Sequence, residues 1–261
     1  MHPAEPLERM PARTYRRIFL TGASSGIGAA LAEIYAAPGV TIGLLARRES
    51  RLAELAQRLG RTGCRVLTYA ADVTDGPRMR QAALAFCEAA DGVDLAIANA
   101  GTSAPDRILD GNPAAVTDMF RINVEGTLNT LFPLIPAMAA NGGGHLVAIG
   151  SVAGFRGLPG KGGYSATKAA LKILMDSYRP VLQRRNILAT TICPGFVESE
   201  LTAKNRYPMP FIMPAPKAAR LIQAAIARGS RTYVFPWQMR LLVPLLTHVP
   251  DRMLPGYVYR T

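Results

Sequence analysis

Short apolar runs alternate with longer amphipathic stretches along almost the whole chain. The apolar runs predict seven strands, at 17–21, 40–46, 65–70, 93–98, 145–150, 187–193 and 232–235. Because these runs are short and almost continuously apolar, they are typical of parallel strands that are buried on both faces. Helical patterns lie between them, near 27–37, 49–59, 75–90, 112–139, 162–184 and 215–228.

The alternation predicts an α/β fold, doubly wound, with a seven-stranded parallel sheet flanked by helices. Asp75, Asn112 and Pro216 stand where helices are expected to begin. No internal repeat, low-complexity tract or linker interrupts the sequence. We therefore predict a single domain at 15–236, with a flexible N-terminal extension at 1–14 and an apolar and basic tail at 237–261.

One stretch, 199–214, departs from the alternation. Its three prolines, at positions 208, 210 and 214, prevent a regular element. Its apolar side chains nevertheless need a partner, and they are Leu201, Tyr207, Met209, Phe211 and Met213. A mobile loop over a substrate pocket would provide one. Packing against the domain or a neighbouring subunit is an equally good explanation.

The composition permits a large core and narrows the class of partner. The chain has 261 residues, of which 49% are hydrophobic and 18% charged, and its net charge is +12. The excess of positive charge is concentrated in 202–261, which holds nine Lys and Arg residues and only one acidic residue. A basic patch suits phosphate ligands, nucleic acid or an anionic membrane surface. No nucleic-acid motif accompanies it, so we expect no nucleic-acid partner.

The cysteines and histidines predict neither disulfides nor a metal site. Cys64, Cys87 and Cys193 lie far apart in apolar segments, which favours buried, reduced thiols and a reducing compartment. The histidines, at positions 2, 145 and 248, are scattered without a carboxylate cluster. With neither a secretory signal nor an apolar run long enough to span a bilayer, a cytoplasmic location is expected.

A glycine-rich turn follows the first predicted strand and leads into a helical pattern. A turn of this kind lets the backbone approach a pyrophosphate, which then lies at the positive end of the helix. The spacing of Gly22, Gly26 and Gly28 differs from the usual G-x-G-x-x-G, and a purely structural turn is the alternative. Its place after the first strand favours dinucleotide binding, and the predicted contacts are Gly22, Ser24, Ser25, Gly26, Ile27 and Gly28.

The second strand ends in two arginines, which indicates a preference for NADP(H). In dinucleotide-binding folds an acid near this point binds the ribose 2′-hydroxyl. Here Ala46 ends the strand and Arg47 and Arg48 follow. Guanidinium groups match the oxygens of a 2′-phosphate, so Arg47 is the first candidate, with Arg48 and Ser24 as helpers. The alternative is that both arginines are ordinary solvated residues at the start of a helix.

Residues 151–168 hold a candidate acid–base group. Ser151 ends an apolar strand, and Tyr164 and Lys168 lie four residues apart, on one face of a helix. A free phenol, with a pKa of about 10, is a poor base at neutral pH. An ammonium group and an oxidised nicotinamide ring nearby would lower that pKa, making the tyrosine an acid for reduction or a base for oxidation.

Together these motifs resemble the short-chain dehydrogenase/reductase family, in its branch of single-domain chains with a Rossmann-like fold. The resemblance covers about 15–236 and rests on several motifs in the family's order. They are Thr21–Gly28, Asp72-Val73, Asn99-Ala100-Gly101, Asn123, Ser151, Tyr164 with Lys168, and Pro194-Gly195. Two departures are mild: Ala98 precedes Asn99 where the family often has asparagine, and Ser199 replaces the usual threonine.

The resemblance implies a role for each matched residue. Tyr164 is the expected proton donor, Ser151 binds the substrate carbonyl, and Lys168 lowers the tyrosine pKa and holds the nicotinamide ribose. Asn123 is expected to kink its helix and hold a water that links Lys168 to solvent. The remaining cofactor contacts implied are Asp72, Val73, Asn99, Ala100, Gly101, Pro194, Gly195, Val197 and Ser199.

The resemblance leaves the substrate and the assembly less defined. A bulky apolar ketone or aldehyde suits the stretch 199–214, with Phe155 and Leu158 as further pocket residues. A homodimer or homotetramer is expected, built partly from the helices near 112–139 and 162–184. The tail is expected to contact the partner subunit or cover the pocket, with Pro244 arguing against a long straight helix and peripheral membrane contact as the alternative. A non-catalytic NADP(H)-sensing regulator is the competing function.

Overall fold

Seven parallel strands form one sheet in the structure, a computed structural model that describes residues 13–203, 205 and 208–249. The sheet order is β3-β2-β1-β4-β5-β6-β7. The strands are β1 (Arg17–Thr21), β2 (Thr41–Ala46), β3 (Arg65–Ala70), β4 (Leu95–Ala98), β5 (Gly144–Ile149), β6 (Ile187–Pro194) and β7 (Thr232–Phe235). The predicted doubly wound α/β fold is therefore confirmed, with strand ends that differ from the predicted ones by at most two residues.

Helices connect the strands. The α-helices are α1 (Gly26–Tyr35), α2 (Glu49–Gly60), α3 (Gly76–Ala89), α4 (Ala114–Phe120), α5 (Gly126–Leu131), α6 (Ile135–Ala140), α7 (Gly162–Gln183), α8 (Ala215–Ala227) and α9 (Trp237–His248). A π-helical turn (Arg121–Glu125) joins α4 to α5, and short 3-10 turns lie at Ile108–Asp110, Phe132–Leu134 and Val152–Phe155. The Asp75 carboxylate caps α3 by accepting a bond from the Arg78 N–H, at 3.0 Å.

The helices cover both faces of the sheet and create two apolar layers. On one face, α1, α2 and α8 pack on the sheet around Leu31, Leu52 and Ile222. On the other, α3, the helices of 114–140 and α7 pack around Phe86 and Leu134. Since both faces are covered, the central strands are apolar and buried, as the sequence pattern indicated.

β3 does not fit the expectation of strands buried on both faces. Arg65, Thr68 and Ala70 are exposed, and no side chain of this strand is fully buried. The reason is its place at the edge of the sheet, where it pairs only with β2. An edge strand has solvent on one side and tolerates polar side chains.

The stretch 199–214 forms no regular helix or strand in its described part, as its prolines predicted. It returns to the domain through a single bridge between Val197 and Met213. Met213 is buried in the core beneath α8 and is not part of a loop over a pocket. Phe211 is exposed, and Tyr207 lies outside the described residues.

Helix α9 contains Pro244, the residue expected to argue against a long straight helix. The helix runs through that residue for 12 residues, although proline cannot donate the backbone hydrogen bond. Met239 and Val243 are buried, while Trp237 and Leu241 on the other side are exposed. Of the predicted terminal segments, 1–12 and 250–261 fall outside the described residues. Among the described helices, none has the length and apolarity that crossing a bilayer requires.

Candidate active site

A cleft of about 520 Å³ opens at the carboxyl ends of the central strands. In a doubly wound sheet this edge is the usual ligand site, at the point where the strand order reverses. The predicted site residues that line the cleft are Gly22, Ser24, Ser25, Gly26, Ile27, Arg47, Arg48, Asp72, Val73, Asn99, Ala100, Gly101, Ser151, Tyr164, Lys168, Pro194, Gly195, Val197 and Ser199. Gly28 and Asn123 do not line it, and both lie immediately behind its wall.

Several residues that line the same cleft were not predicted as site residues. They are Ala46, Ala71, Thr102, Ile122, Ile149, Gly150, Glu200 and Thr202. Most of them directly precede or follow a predicted site residue, so the ends of the strands were a usable signal. Glu200 follows the predicted residue Ser199, but its pairing with Arg48 had no signal in the sequence, because the two residues lie 152 positions apart.

The glycine-rich turn is held against the end of β4 by close backbone contact. A side chain at Gly22, where φ is +67°, would place its Cβ 2.8 Å from the backbone of Ala100. A Cβ at Gly28 would lie 2.2 Å from the Gly22 carbonyl oxygen. The Asn99 amide donates to the carbonyls of Thr21 and Gly22, each at 3.1 Å. Gly28 therefore shapes the turn instead of facing the cleft.

The start of α1 has the character of an anion site. Ser25 occupies the N-cap but makes no side-chain capping bond, so it leaves the first backbone N–H groups of the helix for another acceptor. Gly26 and Ile27, the first two residues of the helix, line the cleft. A phosphate group is a common partner of such a helix start, so this part of the cleft fits a pyrophosphate.

Arg48 lies beside that helix start. Its Nη2 donates to the hydroxyls of Ser24 and Ser25, at 3.1 and 3.2 Å. Its Nη1 lies 2.9 Å from a carboxylate oxygen of Glu200, across the cleft. The sequence had favoured Arg47 with help from Ser24, whereas in the structure it is Arg48 that contacts Ser24.

Arg47 extends along the neighbouring wall of the cleft. Its side chain is 73% exposed, and its Nη1 lies 3.6 Å from the Asp72 carboxylate. Burial raises the pKa of Asp72, but bonds from the Thr74 N–H and hydroxyl, together with Arg47, outweigh it and leave that pKa below its usual range. Arg48 thus contacts the turn that leads into α1, whereas Arg47 lies beside Asp72.

Ser151, Tyr164 and Lys168 meet at the centre of the cleft. Ser151 follows β5, and its Oγ accepts a bond from the Ala153 N–H at 3.1 Å. Tyr164 and Lys168 lie on the first two turns of α7, with the lysine Nζ 5.7 Å from the centre of the tyrosine ring. The Lys168 ammonium donates to the Ile149 carbonyl at 2.8 Å, which fixes its position behind the phenol.

The titration of this group differs in part from the sequence expectation. Burial raises the pKa of Tyr164, and a hydrogen bond with Ser151 opposes that rise. Burial also lowers the pKa of Lys168, to about 8. Within the chain itself, burial outweighs the Ser151 hydrogen bond, so the lowering expected from Lys168 is not found, and the contribution of a nicotinamide ring stays a prediction. Around neutral pH the tyrosine is protonated, which is the form that donates a proton.

Asn123 lies in the π-helical turn and is fully buried. Its Oδ1 accepts from the Thr102 N–H at 2.7 Å, and its Nδ2 donates to the Thr102 carbonyl and the Thr167 hydroxyl, both at 3.0 Å. A Cβ at Gly101 would lie 3.2 Å from Asn123 Oδ1 and 3.5 Å from Lys168 Nζ. The glycine thus leaves a small space between these two polar atoms, although they do not bond directly.

Fewer apolar residues surround the cleft than the sequence suggested. Of the apolar residues expected from 199–214, Leu201 is the one that lines it within the described part of the chain. Phe155 and Leu158, predicted as pocket residues, do not line it. The 3-10 turn directs Phe155 toward α7, where the Lys172 Nζ lies 5.8 Å from its ring centre.

The described residues hold no group of three or more His, Cys, Asp or Glu side chains arranged to bind a metal ion. His145 is the second residue of β5, so it lies at the end of the strands opposite the cleft, and it is fully buried. The three cysteines are free thiols, and burial raises the pKa of Cys193 to about 12.

Comparison of the sequence with protein families gives one match that covers most of the chain. The profile described as short chain dehydrogenase matches residues 16–209. The chain is also 37% identical, over 251 residues, to an uncharacterized oxidoreductase of Myxococcus xanthus (strain DK1622). That similarity covers 96% of this chain and 99% of the relative.

Solved structures with the same architecture include complexes with either dinucleotide. A short chain dehydrogenase/reductase from Burkholderia phymatum, in complex with NAD, is 25% identical with a TM-score of 0.82, covering 90% of this chain and 94% of that one. L-sorbose reductase from Gluconobacter frateurii, complexed with NADPH and L-sorbose, is 25% identical with a TM-score of 0.76. That similarity covers 87% of this chain and 97% of the reductase.

Proposed function

The chain belongs to the short-chain dehydrogenase/reductase family, and from this we propose that it is an NADP(H)-dependent reductase of a bulky apolar ketone or aldehyde. Its class, an oxidoreductase of that family, follows from the family itself. The observation that carries the finer proposal is the pair Arg47 and Arg48 at the end of β2, together with Ser151, Tyr164 and Lys168 around the same cleft. Both groups line the same cleft, which has a volume of about 520 Å³.

The residues present fit NADP(H), which when bound supplies the hydride donor or acceptor. The start of α1 suits its pyrophosphate, and the two arginines suit a 2′-phosphate. Asp72 and Val73 lie where the adenine is expected. Lys168, Pro194 and Gly195 lie where the family binds the nicotinamide half.

The proton needed for carbonyl reduction comes from Tyr164 in this proposal. The phenol is protonated at neutral pH, since burial raises its pKa. The Ser151 hydroxyl, hydrogen-bonded to Tyr164, polarises the substrate oxygen and orients it for proton transfer. The Lys168 ammonium stabilises the phenolate that remains, and Asn123 and Gly101 preserve the space through which a water can return a proton.

An apolar substrate is supported by the side chains beyond the catalytic group. Ile149 and Leu201 line the same cleft, and neither side chain can hydrogen-bond a sugar hydroxyl. The reverse reaction, oxidation of an alcohol with NADP⁺, uses the same residues, with Tyr164 as the base.

The test is NADPH oxidation over a panel of carbonyls with the wild type and Tyr164→Phe. The panel runs from small polar aldehydes to aryl ketones, steroids and long-chain 3-oxo lipids, with the matching alcohols and NADP⁺ for the reverse direction. We expect kcat to fall by about 10²–10⁴-fold in Tyr164→Phe, as for the loss of a general acid. NADPH binding, measured by fluorescence titration, should stay unchanged. Tyr178→Phe, which removes a phenol on the same helix outside the cleft, is the matched control.

The other outcomes distinguish the alternatives. Turnover with NADH but not NADPH contradicts the role of the arginines, and full activity in Tyr164→Phe contradicts the assigned acid. Tight NADPH binding with no turnover in either direction points to the non-catalytic NADP(H)-sensing regulator.

A further inference from the structure

Arg48 joins three elements of the cleft. It starts from the end of β2, contacts Ser24 and Ser25 in the glycine-rich turn, and reaches Glu200 in the segment after β6. Its Nη1 lies 3.0 and 2.9 Å from the two carboxylate oxygens of Glu200. The guanidinium proposed to meet a 2′-phosphate is thus already bound to a carboxylate of this chain.

Glu200 is held at this place by a compact turn. The Thr202 hydroxyl accepts from the Ser199 N–H at 2.9 Å and donates to the Val197 carbonyl at 2.8 Å. Before the turn, the Glu198 N–H donates to the Met213 carbonyl at 2.9 Å, and Met213 is buried in the core. The carboxylate therefore projects over the cleft from a backbone that is anchored on both sides.

The charges around this end of the cleft are partly balanced. Arg51 Nη1 lies 3.8 Å from Glu200, and Arg47 lies 3.6 Å from Asp72. Together with Arg48, these side chains form a cluster of three guanidinium groups and two carboxylates. Loss of the Glu200 charge would leave the cluster more positive and free the two Arg48 donor contacts that it occupies.

We propose that Glu200 is a specificity-determining residue that competes with the 2′-phosphate of the dinucleotide for Arg48. A phosphate and a carboxylate both seek the guanidinium donors, so binding of the phosphorylated dinucleotide must displace or share this ion pair. A dinucleotide without the 2′-phosphate does not compete. Glu200 thereby limits how strongly the site prefers NADP(H) over NAD(H).

The size of the effect follows from the exposure of the pair. The side chains of Arg48 and Glu200 are 42% and 53% exposed, and solvent-exposed ion pairs contribute about 0.2–1 kcal/mol. Removal of the competing carboxylate should therefore strengthen binding of NADPH by about 1.5- to 5-fold. The gain should shrink at high salt, because screening weakens the contact between arginine and phosphate.

The experiment is fluorescence titration of the full chain with NADPH and with NADH. Glu200→Gln is the test variant. Glu198→Gln is its matched control, since it removes the same charge from an exposed side chain two residues away. We expect Glu200→Gln to tighten NADPH binding and leave NADH binding unchanged, and Glu198→Gln to match the wild type.

This inference rests on the proposed use of NADP(H), and the two fail in different ways. If the wild type binds NADH more tightly than NADPH, both are wrong. If the wild type prefers NADPH but Glu200→Gln binds NADPH like Glu198→Gln, only the inference is overturned. Weaker NADPH binding in Glu200→Gln also overturns it, since Glu200 would then orient Arg48 for the phosphate.

Discussion

The residues that the sequence located best are those fixed by a strand end or a helical interval. Ser151 lies two residues after the end of β5, and Tyr164 and Lys168 lie one turn apart on α7, so local structure alone brings the tyrosine and the lysine together. Their pKa values were harder to predict from the sequence, because the burial that shifts them depends on the packing of distant elements. The pairing of Arg48 with Glu200 was missed for the same reason, since only the tertiary fold brings these residues together.

One buried polar group lies far from the cleft and affects the stability of the whole chain. The imidazole of His145 lies between the Tyr15 hydroxyl and the Thr190 hydroxyl, with both contacts at 2.7 Å. Thr190 donates to the Ser230 carbonyl, so its oxygen accepts from Nε2–H of the histidine. Tyr15 then donates to Nδ1, and a single neutral tautomer satisfies both contacts of the imidazole.

This arrangement predicts a loss of stability in mild acid. Burial lowers the pKa of His145 from 6.5 to about 3. In this range the unfolded chain binds a proton that the folded chain excludes, so the free energy of unfolding falls as the pH drops below 6.5. The limiting slope is about 1.4 kcal/mol per pH unit. Urea unfolding at pH 7.5, 6 and 5 measures this dependence of the free energy of unfolding on pH. These pH values lie above the range in which most carboxylates titrate.

His145→Gln is the control for this histidine. Glutamine keeps hydrogen-bonding capacity but carries no titrating group, so its unfolding free energy should vary less between pH 7.5 and 5. An equal slope in the two proteins would assign the pH dependence to other groups.

At the scale of single elements, periodicity located the helices and strands because their burial is local and regular. It was less informative at the edge strand β3, where solvent replaces a neighbouring strand, and at α9, where burial of one side outweighs the cost of Pro244. The path of 199–214 depends on the Val197–Met213 bridge, which no pattern in the sequence specifies.

Helix α9 predicts an effect of the tail on the cleft. A Cβ at Gly195 would lie 3.3 Å from Met239 Cγ, so the buried Met239 packs on a residue that lines the site. Met239→Ala should lower the free energy of unfolding by about 2–3 kcal/mol, the lower part of the range for such core changes. We also expect weaker NADPH binding, because Gly195 loses its support. Chemical denaturation and fluorescence titration measure the two effects.

Leu241→Ala is the matched control for α9. Its side chain is 61% exposed, so the substitution should change stability by no more than about 0.5 kcal/mol. Equal losses in both variants would mean that the helix as a whole, and not the Met239 contact, is responsible. Contact of the exposed side of α9 with a partner subunit or a membrane stays a prediction.

At the scale of the whole molecule, the sheet order explains why the site could be placed before its geometry was known. The order reverses between β1 and β4, so the loops after these strands diverge and leave the cleft between them. The oligomeric state was harder to predict from the sequence. A helix face that contacts a second copy of the chain has the same apolar pattern as one that packs against another helix of the same chain.

An apolar groove of about 250 Å³ between α5, α6 and α7 predicts a homodimer. Its wall is formed almost wholly by apolar side chains, among them Leu128, Phe132, Leu174 and Val181. Val181 is 65% exposed, and Ile173 on the same helix is exposed as well. An apolar face of this kind is costly in water, and it lies on the helices already expected to form the contact.

Val181→Glu should therefore shift the protein from dimer to monomer. A charge buried against the second copy would cost far more than it does in the free chain. Light scattering after gel filtration gives the mass of each species. Leu84→Glu adds the same charge to an exposed apolar position on α3 and should leave the mass unchanged. A monomeric wild type would contradict the prediction.

The π-helical turn changes which residues of the segment 114–140 face the sheet. Met119, Asn123, Thr127 and Leu131 are all buried and follow one another at intervals of four residues. In a regular α-helix each such interval overshoots a full turn by about 40°, so the buried face would drift by about 120° over these residues. The wide turn absorbs that drift and keeps both halves facing the sheet. An alignment or a redesign that treats the segment as one uniform helix therefore assigns the wrong face to the residues after Glu125.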